Sequence, residues 1–351
     1  MTDKTMRAVR YDRYGPPDVL KVQEVPVPTP GRGEVLVKVV GTSVNPVDAE
    51  IRGGRLRPMS GWRFPKGTSQ DFTGEIVAVG TDVDVALAGR LVWGATPGLS
   101  SATAAEYIRV RESAAAPAPE GQDLLTTAAL PTVGLTALMA LRAVRVEAGH
   151  RVLVVGAAGG VGSATTQLAV AKGAQVTAVA GPGGADFCTG LGAEQVYDYA
   201  DPEALAASLA AAPPYDAVVD CAGRSLARYR RRLRSGGRMI TLSSKGMGYA
   251  VLSAILPGPR VRVAVLKARR ADLDELAGFV GRGELRALVD QIYPLAAIAE
   301  AHRSIETGHS RGKRVIQVSA ADRTTDQAAD RPEDQRARWT RPSSQTGSVD
   351  S

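Results

Sequence analysis

A chain of 351 residues exceeds one ordinary hydrophobic core, so two domains are expected; at 44% hydrophobic residues it reads as globular rather than disordered. The net charge of +7 is concentrated, because residues 224–270 hold thirteen Lys or Arg and no Asp or Glu, while 173–223 hold no Lys or Arg. Such a block suits an anionic cofactor, an acidic substrate, an acidic partner or a plain solvated surface; without a reading motif, and with aromatics at 5%, it argues against nucleic acid.

The first segment is rich in strands and turns. Residues 6–11, 20–25 and 34–44 have strand character, separated by Gly15-Pro16-Pro17 and by the run 26–33; residues 76–79 and 90–93 continue it between Gly80 and Gly89. This pattern predicts a compact, partly open barrel with a few short helices. From Leu124 the texture changes: a helical stretch over 124–144 precedes a strand–helix alternation with strands at 195–197, 216–220 and 238–242, which predicts a doubly wound parallel sheet. Residues 262–266 suit an edge strand where another subunit can pair. Helices over 272–282 and 296–307 and a strand over 314–318 close the ordered part. From Ala320 onward Asp, Arg, Gln, Ser and Thr dominate, so a disordered tail of about thirty residues is expected.

The most informative segment is VLVVGAAGGVGSATTQLAVAKGAQVTAV, residues 152–179. It reads as strand, glycine turn, helix and strand, one β-α-β unit built around a phosphate. The run VLVV lacks polar alternation and should be buried on both faces. Gly156 makes the turn, Gly159 and Gly160 let N–H groups approach a pyrophosphate, and Gly162 allows close helix–strand packing. Ala158 stands where the commonest fingerprint has a glycine. The helix, beginning near Val161, points its positive end at the phosphate.

Catalytic side chains are scarce. No Cys or His precedes His150, so neither a structural zinc lobe nor a catalytic zinc set can be drawn from the barrel, and no metal site is expected. Cys188 and Cys221 read as buried and inert, and His150, His302 and His309 are too scattered for a triad. The cofactor would carry the chemistry. Two cysteines and no basic-then-apolar leader suggest a cytoplasmic protein; the apolar stretch 246–259, with two prolines, is too short for a bilayer.

MRAVRYDRYGPPDVLKVQEVPVPTPGRGEVLVKVVGTSVNPVD, DFTGEIVAVG, AALPTVGLTAL, VLVVGAAGGVG, LGAEQVYDY, DAVVDCAG and LRSGGRMI, in that order, resemble the zinc-independent quinone oxidoreductase branch of the medium-chain dehydrogenase/reductases. The resemblance runs from about Met6 to Val318. It implies an α/β protein with a GroES-like substrate domain (1–123, completed by 268–319) and an inserted Rossmann domain (124–267), ahead of the tail 320–351. It also implies NADPH as hydride donor, a small-molecule quinone or enone as acceptor, and a homodimer. By the same resemblance Asn45 and Asp48 line the cleft. Asn45 would bond the cofactor ribose or the substrate carbonyl, or simply form the turn before Pro46; Asp48 would orient a water or cap the helix AEIRGG. Thr136 would approach the nicotinamide or its phosphate, or bond its own backbone, and Tyr199 and Ser243 would contact the cofactor.

Two departures follow. Ala49 and Glu50 stand where relatives often carry an aromatic residue, which leaves water, or Tyr107 if it faces the cleft, as proton donor. The second strand ends Val179-Ala180-Gly181 without the acid that bonds a ribose 2′-OH, against NAD, yet also without a basic residue for a 2′-phosphate. Backbone N–H groups over residues 183–186 would serve instead. The rival readings are an enoyl reductase docking an acidic carrier protein on the basic block, a nucleotide-binding regulatory protein without turnover, and, last, a zinc alcohol dehydrogenase.

Overall fold

The computed structural model describes residues 4–96, 102–263, 269–308 and 311–319; the expected tail, and residues 264–266 of the expected edge strand, lie outside them. In the first domain β1 (Thr5–Arg10) and β2 (Lys21–Pro26) form an antiparallel pair. β3 (Glu34–Val44), β4 (Asp71–Val79), β5 (Leu91–Ala95), β6 (Tyr107–Arg111) and β7 (Ala115–Pro117) build a mainly antiparallel sheet, with helices α1 (Pro46–Arg52) and α2 (Arg57–Ser60) between β3 and β4. Two of these strands escape the sequence pattern: β6 and β7 are short, and Arg109 and Arg111 interrupt any apolar run. β4 also starts five residues before the expected Ile76, because Asp71 and Thr73 are buried polar residues that hydropathy patterning hides.

The helical stretch expected over 124–144 is two helices, α3 (Leu124–Thr127) and α4 (Pro131–Ala143). Pro131 has no N–H to continue α3, and its fixed φ suits the first position of α4. The nucleotide domain then runs β8 (Arg151–Val155), α5 (Gly160–Ala171), β9 (Gln175–Ala180), α6 (Ala185–Thr189), β10 (Gln195–Asp198), α7 (Pro202–Ala211), β11 (Tyr215–Asp220), α8 (Leu226–Arg230), β12 (Leu233–Thr241), α9 (Met247–Leu252) and β13 (Val261–Val263). Its six strands are parallel in the order β10-β9-β8-β11-β12-β13. β8 shows why VLVV lacks alternation: Val152 and Val154 pack into one core with Leu168 of α5, while Leu153 and Val155 pack into another with Leu205 and Leu209 of α7.

Helix α10 (Arg270–Gly281) buries Leu273, Leu276 and Phe279 in the core that holds α4, so of the segment 268–319 expected with the barrel, the chain returns there only at β14 (Val289–Pro294). Helix α11 (Ile298–Glu306) and β15 (Lys313–Gln317) follow, and β15 pairs with β3. That pairing carries the start of β15 to the glycine turn: Gly312 bridges Gly159 in a parallel register, and its N–H donates to the Ala158 carbonyl at 3.2 Å.

Candidate active site

The glycine turn is bare main chain under tight constraint. Gly156 has φ +78°, which favours glycine, and its N–H donates to the Val179 carbonyl. A Cβ on Gly162 would fall 2.0 Å from the Gly156 oxygen, so α5 can lie this close to β8 only without a side chain there. Gly159 caps α5, and its would-be Cβ meets nothing nearer than the Gly156 oxygen at 3.5 Å. Helix α5 starts at Gly160, one residue before the expected Val161, and its first N–H groups lack intrahelical acceptors; Ser163 is the first to bond, to the Gly159 carbonyl. Open backbone at Gly159 and the leading N–H groups of a twelve-residue helix fit a dinucleotide pyrophosphate. Gly160 plays a different part. A Cβ there would sit 2.9 Å from Cδ of Lys313, so its bareness lets that side chain pass.

Lys313 leads to the opposite wall. Its ammonium, buried, donates to the Asn45 side-chain oxygen at 2.6 Å and the Val44 carbonyl at 3.2 Å, and lies 3.5 Å from Asp71. Asp71, fully buried, accepts from Ser43 Oγ, from Asn45 Nδ2 at 2.9 Å and from the Thr132 N–H at 2.6 Å, which binds one carboxylate to β3, β15 and the N-terminus of α4. Burial lowers the Lys313 pKa, opposed by Asp71 and Asp48. Asn45 is therefore neither a simple turn residue nor an uncommitted cleft donor: its oxygen serves Lys313 and one amide proton serves Asp71. Sequence reasoning singles out neither Asp71 nor Lys313; Asp71 in DFTGEIVAVG, an acid opening an apolar strand, is the available signal.

The helix after Asn45 starts at Pro46, so Asn45 is its cap and Asp48 lies in its first turn, accepting from the Asn45 N–H at 2.8 Å. The other Asp48 oxygen is buried without a protein partner, and burial pushes the Asp48 pKa up to about 7. Behind it stand Tyr11, Arg52 and His302, each buried with an unpartnered polar atom. Arg52 pairs with Glu306, and His302, held near Thr68 at 3.2 Å, has its pKa lowered to about 3 by burial and by Arg52.

Thr136 donates to the Thr132 carbonyl at 2.6 Å, a back-bond within its own helix that leaves its oxygen able to accept. Tyr107 is not at the cleft. It pairs with Lys38 on β3, seven residues and so about 23 Å of strand from Asn45, with Lys4 over its ring. Ser243 packs over Gly223, and the neighbouring Ser244 donates to Glu50 of α1 at 2.6 Å, linking the two domains. Asp220, buried after the run AVV, accepts from the Ala222 and Gly223 N–H groups and from Thr241, which fixes the turn facing Gly156. Cys188 and Cys221 are both shifted upward by burial, so neither thiol is an activated nucleophile.

At the far end of the cleft Tyr199 places its hydroxyl 2.6 Å from the would-be Cβ of Gly181. Helix α6 has only five residues, too few to gather a strong N-terminal field for an anion. Arg311 takes up the adjacent space, with Nη2 2.7 Å from the would-be Cβ of Gly183. Within the basic block, Arg230 donates to the carbonyls of Leu256, Pro257 and Pro259, and Arg232 to those of Ala210 and Ala212, so part of that charge braces the fold.

Comparison with known proteins gives the family. Residues 31–120 match the family model of the alcohol dehydrogenase GroES-like domain, and residues 191–316 that of zinc-binding dehydrogenase. The chloroplast envelope quinone oxidoreductase homolog of Arabidopsis thaliana is 32% identical, covering 90% of this chain and 100% of the relative. The human mitochondrial NAD(P)H oxidoreductase RTN4IP1 is 30% identical over 89% of each chain. Among solved structures, the quinone oxidoreductase from Coxiella burnetii superimposes with a TM-score of 0.83 at 32% identity, over 90% of this chain and 100% of that one. The chain belongs to the quinone oxidoreductase branch of the medium-chain dehydrogenase/reductases. It is an oxidoreductase of a family that uses NAD(P)H.

The expected cytoplasmic location is corrected by these relatives, which are named for the chloroplast and the mitochondrion. Among the described residues no helix is long and apolar enough to cross a membrane. The second family model is named for zinc; this chain has two cysteines and three histidines, none before His150, and among the described residues no three His, Cys, Asp or Glu side chains gather.

Proposed function

We propose that this chain is a zinc-independent reductase that uses NADPH to reduce a quinone or the β-carbon of an α,β-unsaturated carbonyl compound. The observation that carries this reading is the bare glycine turn, shaped to take a dinucleotide's pyrophosphate on main chain and packed at Gly160 against Lys313 of the Asn45–Asp71 cluster, with neither cysteine activated as a nucleophile. The bound nicotinamide supplies the hydride. The chain's groups position and polarise: the helix α5 N-terminus holds the diphosphate, and the second amide proton of Asn45 meets the oxygen on which negative charge develops. Water, rather than a side chain, returns the proton. The absence of an acid at the end of β9 supports NADPH over NADH. A homodimer is supported by β13, an edge of the six-stranded sheet, with the exposed side chains of Val251, Ile255 and Val263 along or near it.

The test is nucleotide consumption against naphthoquinone, a small enone and a simple alcohol–NADP⁺ pair, with NADH in parallel. NADPH oxidation with the quinone or the enone, and inertness toward the alcohol pair, is expected. Binding of neither reduced nucleotide would overturn the reading, and stoichiometric zinc in active protein would overturn its metal-free part.

A further inference from the structure

The end of β9 poses a problem of charge. NADPH differs from NADH by a phosphomonoester on the adenosine ribose, and in a doubly wound sheet that ribose sits at the carboxyl end of the second strand. Here the strand and the turn after it read Val179, Ala180, Gly181, Pro182, Gly183, Gly184, with no cation within the segment. Gly183 has φ +71° and the Gly184 N–H bonds back to the Gly181 carbonyl, so the turn is tight and offers no side chain. Tyr199 stands over Gly181 and is about half exposed.

The missing cation comes from the other domain. Arg311 immediately precedes Gly312, whose main chain is stitched to Ala158 and Gly159. That anchor fixes the Arg311 backbone one residue from the phosphate turn, and its guanidinium reaches the space above Gly183. It is exposed, and among the described residues no carboxylate forms an ion pair with it; Asp186, in the first turn of α6, is not so paired. Lys313, two residues on, is committed to Asn45, Val44 and Asp71.

We infer that Arg311 recognises the 2′-phosphate of the adenosine ribose, together with the Tyr199 hydroxyl, and so determines the preference for NADPH over NADH. This rests on the nucleotide reading above. A guanidinium presents a planar fork of donors matched to phosphate oxygens. Because Arg311 belongs to the barrel side and Gly181, Gly183 and Tyr199 to the nucleotide domain, the 2′-phosphate also joins the two halves of the protein.

Calorimetric titration of the full chain with NADPH, NADH, 2′,5′-ADP and 5′-AMP tests this, using wild type, Arg311→Ala and Arg311→Lys. Wild type should prefer 2′,5′-ADP to 5′-AMP by about 10- to 100-fold, in line with a charge-assisted hydrogen bond. Arg311→Ala should lose most of that preference while its 5′-AMP affinity stays within about twofold, and Arg311→Lys should recover part of it. Added salt should erode the wild-type preference more than that of Arg311→Ala. An unchanged preference in Arg311→Ala, or none in wild type, overturns the assignment of Arg311 and leaves the nucleotide reading standing if NADPH or NADH still binds. Binding of neither nucleotide to wild type overturns both.

Discussion

The nucleotide-domain wall of the cleft is main chain left bare at Gly156, Gly159 and Gly162, whereas the barrel wall is a buried cluster of charged and amide groups from Asn45, Asp71 and Lys313. One wall works by omitting side chains so that backbone dipoles come forward. The other works by burying ions, which demands that every charge be met. Their tolerance to change should differ accordingly: the first fails by steric collision, the second by an unpaired charge.

The largest effect is expected on the bare wall. Gly162→Val places carbon atoms against the Gly156 carbonyl, and NADPH affinity should fall by more than about 100-fold with a lowered melting temperature, read by calorimetry and thermal unfolding. Next comes the ionic wall. Lys313→Met strands Asp71 and should cost about 3–5 kcal/mol in urea unfolding, while the double variant Lys313→Met/Asp71→Asn should recover a large part. If both single variants prove additive in the double, the cluster is not the unit described.

The buried groups behind α1 make the same point through pH. Asp48 has its pKa raised from 3.8 to about 7, so the native state holds that proton more tightly than the unfolded chain, and stability falls as pH rises from about 4 to 7. His302 is shifted the other way, from 6.5 to about 3, so its contribution is present above pH 6.5 and is lost as pH falls toward 3. Each slope is at most about 1.4 kcal/mol per pH unit. Asp48→Asn should remove the first and His302→Gln the second, in denaturation curves taken between pH 3 and 8. The smallest effect belongs to Glu50→Ala. It cuts the exposed bond to Ser244 and should change stability by less than about 1 kcal/mol while shifting KM for the acceptor by a few-fold.

Sequence legibility follows the same divide. The β-α-β unit is local: strand, turn, helix and returning strand lie within residues 152–179, and the roles of Gly156, Gly159 and Gly162 have short-range causes. Gly160 is the exception, because the chain that needs its bareness arrives from Lys313. The ionic cluster gathers positions 45, 71, 132 and 313, and no periodicity links residues so far apart. Family resemblance points Thr136 to the cofactor and leaves Tyr107 as a possible donor; the structure adds the bond of Thr136 to the Thr132 carbonyl and the pairing of Tyr107 with Lys38, neither of which is legible in the sequence.

Gly312 makes one further difference. Its main-chain bond to Ala158 and its bridge to Gly159 sew the last barrel strand to the phosphate turn, while at the other end the domains meet through the side-chain contact of Glu50 with Ser244. The halves are thus joined by main chain at the glycine turn and by side chains at Glu50.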